Sequence, residues 1–462
     1  MQEQKLERIT PAQAGLDPQC IINMMDRMEK EHINITSFML LRHGKVLCEA
    51  SYEPYDATQL RTVYSLSKTF TSMAVGIAAG EGKIDLDEKI TDLFAAEIEN
   101  GKIHAMGVNL DYPNAEEINV SGCFVLPGFV DAHCHIGMWE DGIGFEGADG
   151  NDSYKPVTPE LRAIDGINPF DNCFTEARAG GVTSVVTGPG SANVIGGQFV
   201  AMKTFGRSIE DMTIKFPAAM KAAFGENPKR VFSAQKTFYT RMSIASQLRG
   251  TLLDALEYDR SIKDAKQKGE KPPKIDHSLE AMLPVVRGEL PLKIHAHRAD
   301  DIMTALRIAK EFNLKITLDH FTEGYMIIDR IKPCIDELNA GIIIGPLLHE
   351  RSKPEVRNRS LTSARTLFDN GVKFAIMTDH PVVPIQYLPV CAALAVREGL
   401  PEDAALEAIT INAARIAGID SRVGSLEVGK DADIAVFYGH PFDFRSRCAM
   451  TLINGRIVHD EL

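Results

Sequence analysis

Apolar segments that end in histidine or aspartate recur along the chain, and this feature limits the fold more than any other. They are "PGFVDAHCHIG" at 127–137, "LKIHAHRADD" at 292–301, "KITLDH" at 315–320 and "KFAIMTDH" at 373–380. In a barrel of alternating strands and helices, catalytic side chains collect at the carboxyl ends of the strands, because the following loops meet at one face. The pattern therefore predicts that these four segments are strands whose polar ends come together.

Alternating strands and helices are predicted from residue 124 onward. The predicted strands are Phe124–His133, Val182–Thr187, Leu292–Ala296, Lys315–Asp319, Gly341–Ile344 and Lys373–Thr378. The predicted helices are Asp300–Glu311, Leu361–Asn370 and Pro401–Ile416. Repeated units of this kind predict a parallel sheet, open or closed into a barrel. The polar, proline-containing segment 255–275 is predicted to be an exposed excursion.

The histidine pairs predict a metal site. His133 and His135 lie two residues apart, so on a strand they point to the same face and can coordinate one ion. His295 and His297 repeat the arrangement, and Cys134 should face the opposite side as a packing residue. One such histidine alone is more often a hydrogen-bonded structural residue. Four coincident strand ends favour metal binding instead.

These segments, together with "VGSLEVGKDADIAVF" and "LINGRIV" near the end of the chain, resemble the metal-dependent amidohydrolase superfamily, in particular its imidazolonepropionase-like branch. The resemblance covers about residues 98–462. It implies an α/β fold: a (β/α)8 TIM-type barrel over 124–418, with a small flanking β-sandwich built from 98–123 and 419–462. It also implies one or two divalent metal ions, zinc in the first place, with manganese or iron as alternatives.

The same resemblance implies a set of metal ligands, namely His133, His135, Lys221, His295, His320 and Asp379. Asp379 would also act as general acid and base, taking a proton from the attacking water and passing it to the leaving nitrogen. Lys221 would be carbamylated and bridge two metals; the alternative is an exposed lysine on a helix. His297 is assigned a catalytic role, as a contact to the substrate or a support behind the ligands. The glycine-rich stretch 187–198 is predicted to be a loop on the substrate side, with an ordinary flexible loop as the alternative.

The front of the chain carries a motif of a different hydrolase. "TVYSLSKTF" contains Ser65 and Lys68 at Ser-x-x-Lys spacing. With "SFMLLRHGKVLCEASYEPY" it resembles class C β-lactamases and related esterases over about residues 10–95, which implies a serine nucleophile with a lysine base. No Lys-Thr-Gly or His-Thr-Gly occurs in the sequence, and Tyr112-Pro113-Asn114 is interpreted as a turn. Residues 1–97 are therefore predicted to be a truncated α+β fragment of that fold, with a helix over 20–31 and two strands joined at His43-Gly44.

The net charge of −13 and the absence of a long basic run argue against a nucleic-acid partner. The first residues lack the apolar core of a signal peptide, and no apolar stretch is long enough for a membrane span. With eight scattered cysteines read as reduced thiols, we expect a cytoplasmic protein.

We expect an enzyme that hydrolyses a carbon–nitrogen bond of a small amide, cyclic or linear, by means of a metal-activated water. Its partner is a small-molecule substrate, and self-association is left open. Two alternatives stand beside this function: a serine hydrolase that uses Ser65 and Lys68, and an inactive fusion product.

Overall fold

The computed structural model describes residues 7–31, 37–43, 45–51, 101–106, 116, 118–120 and 122–462. The chain divides into two compact units, residues 1–88 and 89–462. Ser65, Lys68 and the predicted turn Tyr112-Pro113-Asn114 lie outside the described residues. In the part of the chain that is described, no helix combines the length and hydropathy needed to cross a membrane.

The described residues of the first unit form one helix and one hairpin. Helix α1 (Pro18–Lys30) begins where the Asp17 side chain accepts a hydrogen bond from the backbone of Gln19, with proline in the first turn. Strands β1 (Ser37–Arg42) and β2 (Lys45–Ser51) pair antiparallel. Both the predicted helix and the predicted strand pair are confirmed, with boundaries shifted by a few residues.

The described residues of the second unit form a barrel sheet and a smaller sheet. Its strands are β3 (Phe124–Pro127), β4 (Phe129–Cys134), β5 (Val182–Thr187), β6 (Ile195–Lys203), β7 (Thr213–Ala223), β8 (Leu292–Ala296), β9 (Ile316–His320), β10 (Gly341–Ile344), β11 (Phe374–Ile376), β12 (Ile434–Tyr438), β13 (Arg447–Ile453) and β14 (Arg456–Asp460). Strands β4 to β11 form an eight-stranded sheet in chain order. Beyond β11, the Asp379 amide donates to the His133 carbonyl at 3.2 Å and the His135 amide to the His380 carbonyl at 2.9 Å. These bonds bring the last strand back to the first, so the predicted TIM-type barrel is confirmed.

One barrel strand runs against the others. Strand β6 pairs antiparallel with both β5 and β7, whereas the remaining neighbours in the barrel pair in parallel. The expectation of a wholly parallel sheet is therefore wrong at this position. Parallel neighbours need a crossover of about a dozen residues or more. The loop between Thr187 and Ile195 is too short for that, so the chain turns straight back on itself.

Helices lie in most connections between the barrel strands and follow the last of them. They are α2 (Asn172–Ala179), α3 (Ile209–Met212), α4 (Glu226–Ala234), α5 (Arg241–Lys268), α6 (His277–Val286), α7 (Ala299–Phe312), α8 (Ile328–Leu338), α9 (Ser363–Asp369), α10 (Leu388–Arg397), α11 (Glu402–Ala408) and α12 (Ile411–Ala417). Short 3₁₀ turns cover Ala163–Asp165, Gly324–Ile327, Pro354–Val356 and Ile385–Tyr387. The helices predicted at 300–311 and 361–370 are confirmed within two residues.

Two predictions about helices are wrong. The single helix expected over 401–416 is divided into α11 and α12, because Thr410 leaves the helical conformation with φ −135° and ψ −101°. The excursion expected over 255–275 belongs largely to α5, which continues to Lys268. Ala255, Tyr258 and Ala265 on that helix are buried. Their spacing provides a core-facing stripe that the many charged neighbours obscure in the sequence.

The predicted strand Phe124–His133 is two strands in two sheets. It breaks at Gly128, where an added Cβ atom would lie 2.2 Å from the Thr183 side chain. Strand β3 joins an antiparallel sheet in the order β14-β13-β12-β3. The buried Lys203 of β6 pairs with Asp433 and, at 3.0 Å, with Asp431, which links this sheet to the barrel. The domain boundaries at 97, 123 and 418 stay predictions.

Candidate metal centre

Five histidines and one aspartate meet at the carboxyl edge of the barrel. They form two groups whose candidate ligand atoms lie within 4.8 Å of one another in each group. The first group, here the aspartate triad, is His133, His135 and Asp379; the second, the histidine triad, is His295, His297 and His320. The rings of His133 and His320 are 5.6 Å apart, so the two triads adjoin.

The hydrogen bonds of the histidine rings decide which ring nitrogen is free to bind a metal ion. Nδ1 of His135 lies 2.7 Å from the Gly188 carbonyl oxygen, and Nδ1 of His320 lies 3.0 Å from that of Gly345. A carbonyl oxygen only accepts, so each Nδ1 carries the proton and each Nε2 keeps a free lone pair. This outer support is the usual arrangement behind a metal-binding imidazole.

The histidine triad has similar support. Nδ1 of His295 lies 2.9 Å from the Ser191 hydroxyl, and Nδ1 of His297 lies 2.8 Å from that of Thr322. Nε2 of both rings, and of His133, is buried without a hydrogen-bond partner among the described residues. Buried polar atoms normally have partners. Unpaired imidazole nitrogens next to a carboxylate therefore fit a divalent metal that prefers nitrogen and oxygen ligands.

Asp319 is a site residue that the sequence reasoning missed. Its Oδ2 lies 3.0 Å from Nδ1 of His133 and its Oδ1 lies 3.0 Å from Nζ of Lys293, all within the barrel interior. Burial alone would raise the pKa of Asp319, but the positive charge of Lys293 and the contact with His133 hold it far below its usual value. The signal was present in "KITLDH", where an aspartate immediately precedes a predicted ligand.

Asp131 is a second missed residue, and it connects the first and last strands of the barrel. It accepts hydrogen bonds from the amides of His133 and Thr378, each at 3.0 Å, and from the Thr378 hydroxyl at 2.5 Å. Burial raises its pKa to about 7. This carboxyl group fixes the backbone of β4 against the segment that carries Asp379.

Lys221 lies on strand β7 with a fully buried side chain, so the alternative of an exposed helix lysine is wrong. Its Nζ is 4.0 Å from Oδ2 of Asp319 and has no hydrogen-bond acceptor among the described residues. Burial lowers its pKa to about 8. Carbamylation of Lys221 stays a prediction.

Backbone conformation helps to position the ligands. His320, Phe321 and Asp379 have φ values of 70°, 50° and 54°, in the left-handed region. Such residues cost about 1–3 kcal/mol each and concentrate at functional sites.

Burial would raise the pKa of Asp379, but the neighbouring His320, His133 and His135 hold it well below its usual value.

A cavity of about 480 Å³ opens onto both triads. This volume is in the range of small-molecule sites. Gly190 and Ser191 line it, so the glycine-rich stretch faces the cavity as predicted, although its last residues belong to β6. Trp139, Asp379 and the three histidines of the histidine triad also line it. The role assigned to His297 stays a prediction, and its position makes it a candidate ligand as well.

Comparison with known proteins gives matches for both parts of the chain. A family model described as "Amidohydrolase family" matches residues 124–458, and one described as "Beta-lactamase" matches residues 23–107. The crystal structure of an amidohydrolase from Thermotoga maritima MSB8 is similar: 42% identity, TM-score 0.76, covering 78% of this chain and 94% of that one. Both resemblances inferred from the motifs are confirmed.

Two curated relatives match most of the barrel unit. Amidohydrolase tasK of Hapsidospora irregularis is 28% identical over 373 residues, which are 74% of this chain and 37% of the relative. The chain thus spans little more than a third of that protein. A dihydroorotase of Aquifex aeolicus is 24% identical over 408 residues, 77% of this chain and 87% of the relative. Imidazolonepropionases are also among the relatives.

Proposed function

Because this chain belongs to the amidohydrolase family, we propose that it hydrolyses a carbon–nitrogen bond of a small amide at the two triads. The observation that carries the proposal is the convergence of five imidazoles and one carboxylate in two adjoining triads, of which His135, Asp379 and the histidine triad line a single cavity. The relatives include a dihydroorotase and a D-hydantoinase, whose names refer to ring amides. A small cyclic amide is therefore the substrate class that we favour.

The two triads would hold one or two divalent ions, with Lys221 as the candidate bridging ligand. A bound ion of this kind lowers the pKa of water toward neutrality and polarises a substrate carbonyl. Zinc suits the imidazole-rich set, and manganese or iron are the alternatives. The outer partners of the rings, such as the Gly188 carbonyl and the Asp319 carboxylate, keep the ligands in one orientation.

Asp379 is the proposed general base and acid. Its carboxylate Oδ1 lies 3.3 Å from Nε2 of His135 and 3.5 Å from Nε2 of His133, and its side chain is 14% exposed toward the cavity. The low pKa of Asp379 keeps it ionised and ready to accept the proton of an attacking water. The same oxygen would return that proton to the leaving nitrogen. His297, which lines the cavity, would contact the substrate or support the ligands.

The test combines metal analysis with a panel of dihydropyrimidinones, hydantoins, imidazolones and linear N-acyl amides. Wild type should contain one or two metal ions per chain and hydrolyse at least one compound. A His133→Ala, His135→Ala double variant should lose both properties. The exposed His277, which does not line the cavity, provides a His277→Ala control that should keep them.

Two outcomes would contradict the proposal. Folded wild type without stoichiometric metal would favour the inactive fusion product. Ester or β-lactam turnover that survives chelation but disappears in Ser65→Ala would establish the serine hydrolase instead. Circular dichroism of each variant shows whether a loss reflects unfolding.

A further inference from the structure

The cavity has a strongly positive wall in a chain that is acidic overall. Arg230, Lys353 and Arg359 line it, whereas the net charge of the chain is −13. Among the described lining residues, Asp379 is the one carboxylate. A cleft with one sign of charge and low-dielectric walls concentrates ligands of the opposite sign.

Lys353 is the best placed of these cations. Its side chain is half-buried, and its Nζ lies 3.4 Å from Oδ1 of Asn227, another cavity residue. It forms no ion pair within 4.0 Å with any described residue. The neighbouring Glu355 accepts from the Glu226 amide and, at 2.8 Å, from Arg241, both through Oε1. Burial lowers the pKa of Lys353, and the charges of Glu355 and Asp379 oppose that shift.

Lys353 also lies near the proposed reaction centre. It lines the same cavity as Asp379 and the histidine triad. One small molecule could therefore touch this ammonium group and the triads together.

Arg359 adds an unpaired donor to the same wall. One of its terminal nitrogens donates to the Leu347 carbonyl at 3.0 Å. Its Nε is buried and has no acceptor among the described residues. A buried donor without a partner, on a charged group, is costly. An anion in the cavity would compensate both this guanidinium and Lys353.

We propose that the substrate carries an anionic group, a carboxylate or a phosphate, which Lys353 binds while the scissile amide lies at the triads. Arg359 and the exposed Arg230 reinforce the attraction. The inference rests on the proposed amide hydrolysis and specifies its substrate. It excludes neutral amides as preferred substrates.

Trp139 provides a readout that does not depend on turnover. It is the one tryptophan of the sequence, it lines the cavity, and its ring centroid is 5.2 Å from that of His135. Fluorescence titration of the metal-loaded protein therefore reports binding directly. Suitable probes are pairs in which a carboxylate is replaced by the neutral carboxamide: dihydroorotate and dihydroorotamide, N-acetylglycine and N-acetylglycinamide, succinamate and succinamide.

In at least one pair, the anionic member should bind wild type about 10- to 100-fold more tightly, the range expected for a hydrogen bond to a charged group. Lys353→Met should remove most of this preference, and Lys353→Arg should restore it. Lys271→Met, an exposed control outside the cavity, should leave it unchanged. If millimolar inorganic phosphate displaces the probe, the anionic group is a phosphate. If phosphate does not displace the probe, the anionic group is a carboxylate.

The inference is wrong if no anionic member binds more tightly than its partner, or if the preference persists in Lys353→Met. Tighter binding of anions without any amide turnover would contradict the proposed function and support the charged subsite. Turnover of neutral and anionic amides at equal efficiency would support the proposed function and contradict the charged subsite.

Discussion

The two compact units differ in how many buried apolar side chains their described residues contain. In the described part of residues 1–88, the buried apolar side chains are Ile21, Val46 and Leu47. The barrel unit has a continuous core that runs through its strands and helices, including Phe129, Val185 and many others. Burying charged groups is costly unless they are paired. Only a unit with an extensive core and a network of partners can hold groups such as Lys221, Lys293 and Asp319 together.

The comparison teaches that a motif acquires chemistry from its partners. In the barrel, side chains from four strand ends meet at one cavity, and hydrogen bonds orient each ring. The Ser-x-x-Lys motif has a family match around it, but the sequence lacks the Lys-Thr-Gly strand that such enzymes need. The barrel is therefore where we place the activity.

The largest expected effect separates the two motifs directly. Asp379→Asn should lower amide hydrolysis by about 10²- to 10⁴-fold, because the amide cannot serve as general base. Ser65→Ala should change the rate by less than about twofold, since no step of the proposed reaction uses it. Steady-state kinetics on the best substrate of the panel measures both. A larger loss in Ser65→Ala than in Asp379→Asn would reverse the assignment.

The second prediction concerns the buried charges of the barrel. Asp319→Asn should destabilise the protein by about 3–5 kcal/mol, because it leaves Lys293 and Lys221 without a carboxylate. Since the pKa of Asp319 is depressed, its stabilisation should be complete above about pH 4 and disappear as the pH falls further. Urea unfolding in chelator measures the change without a contribution from metal.

A surface aspartate is the matched control for this prediction. Asp369 pairs with Arg365 at 2.8 Å, and both side chains are about half exposed. Asp369→Asn should therefore cost about 1 kcal/mol or less. Equal losses in the two variants would show that the interior network does not contribute as argued.

The smallest effect compares the thiols of the two units. Cys20 is exposed in the first unit, whereas Cys134, Cys173, Cys391 and Cys448 are buried in the second. Burial raises the pKa of Cys391 and of Cys448 to about 11, so both stay protonated and unreactive at pH 8. Iodoacetamide at pH 8 should label Cys20 in the folded protein and the four buried cysteines only in urea. Peptide mapping identifies the sites, Cys20→Ser is the control, and equal labelling rates would contradict the comparison.

Much of the barrel could be predicted because its signals are local. The strand at Val182–Thr187 follows from a short apolar segment, and the common face of His133 and His135 follows from their spacing of two residues on a strand. The Gly128 break and the antiparallel β6 depend on contacts with other strands, such as that with Thr183, which no short window reveals.

The predicted metal-binding residues lie close together, as expected. The residues that support them could be identified only from the structure. The pairs His133 with Asp319 and Asp131 with Thr378 join residues far apart in sequence. Lys293 could not be distinguished from a surface lysine until its strand was seen to run through the interior. Buried charges are identified by their partners, and partners are a property of the fold.

Removal and return of metal tests the central claim most directly. Wild type is dialysed against 1,10-phenanthroline, its metal content is determined, and hydrolysis of the best amide is measured before dialysis, after dialysis and after zinc is added back. The account predicts that activity falls with metal content and returns with it in proportion. Amide hydrolysis that continues at the original rate in metal-free protein would contradict it.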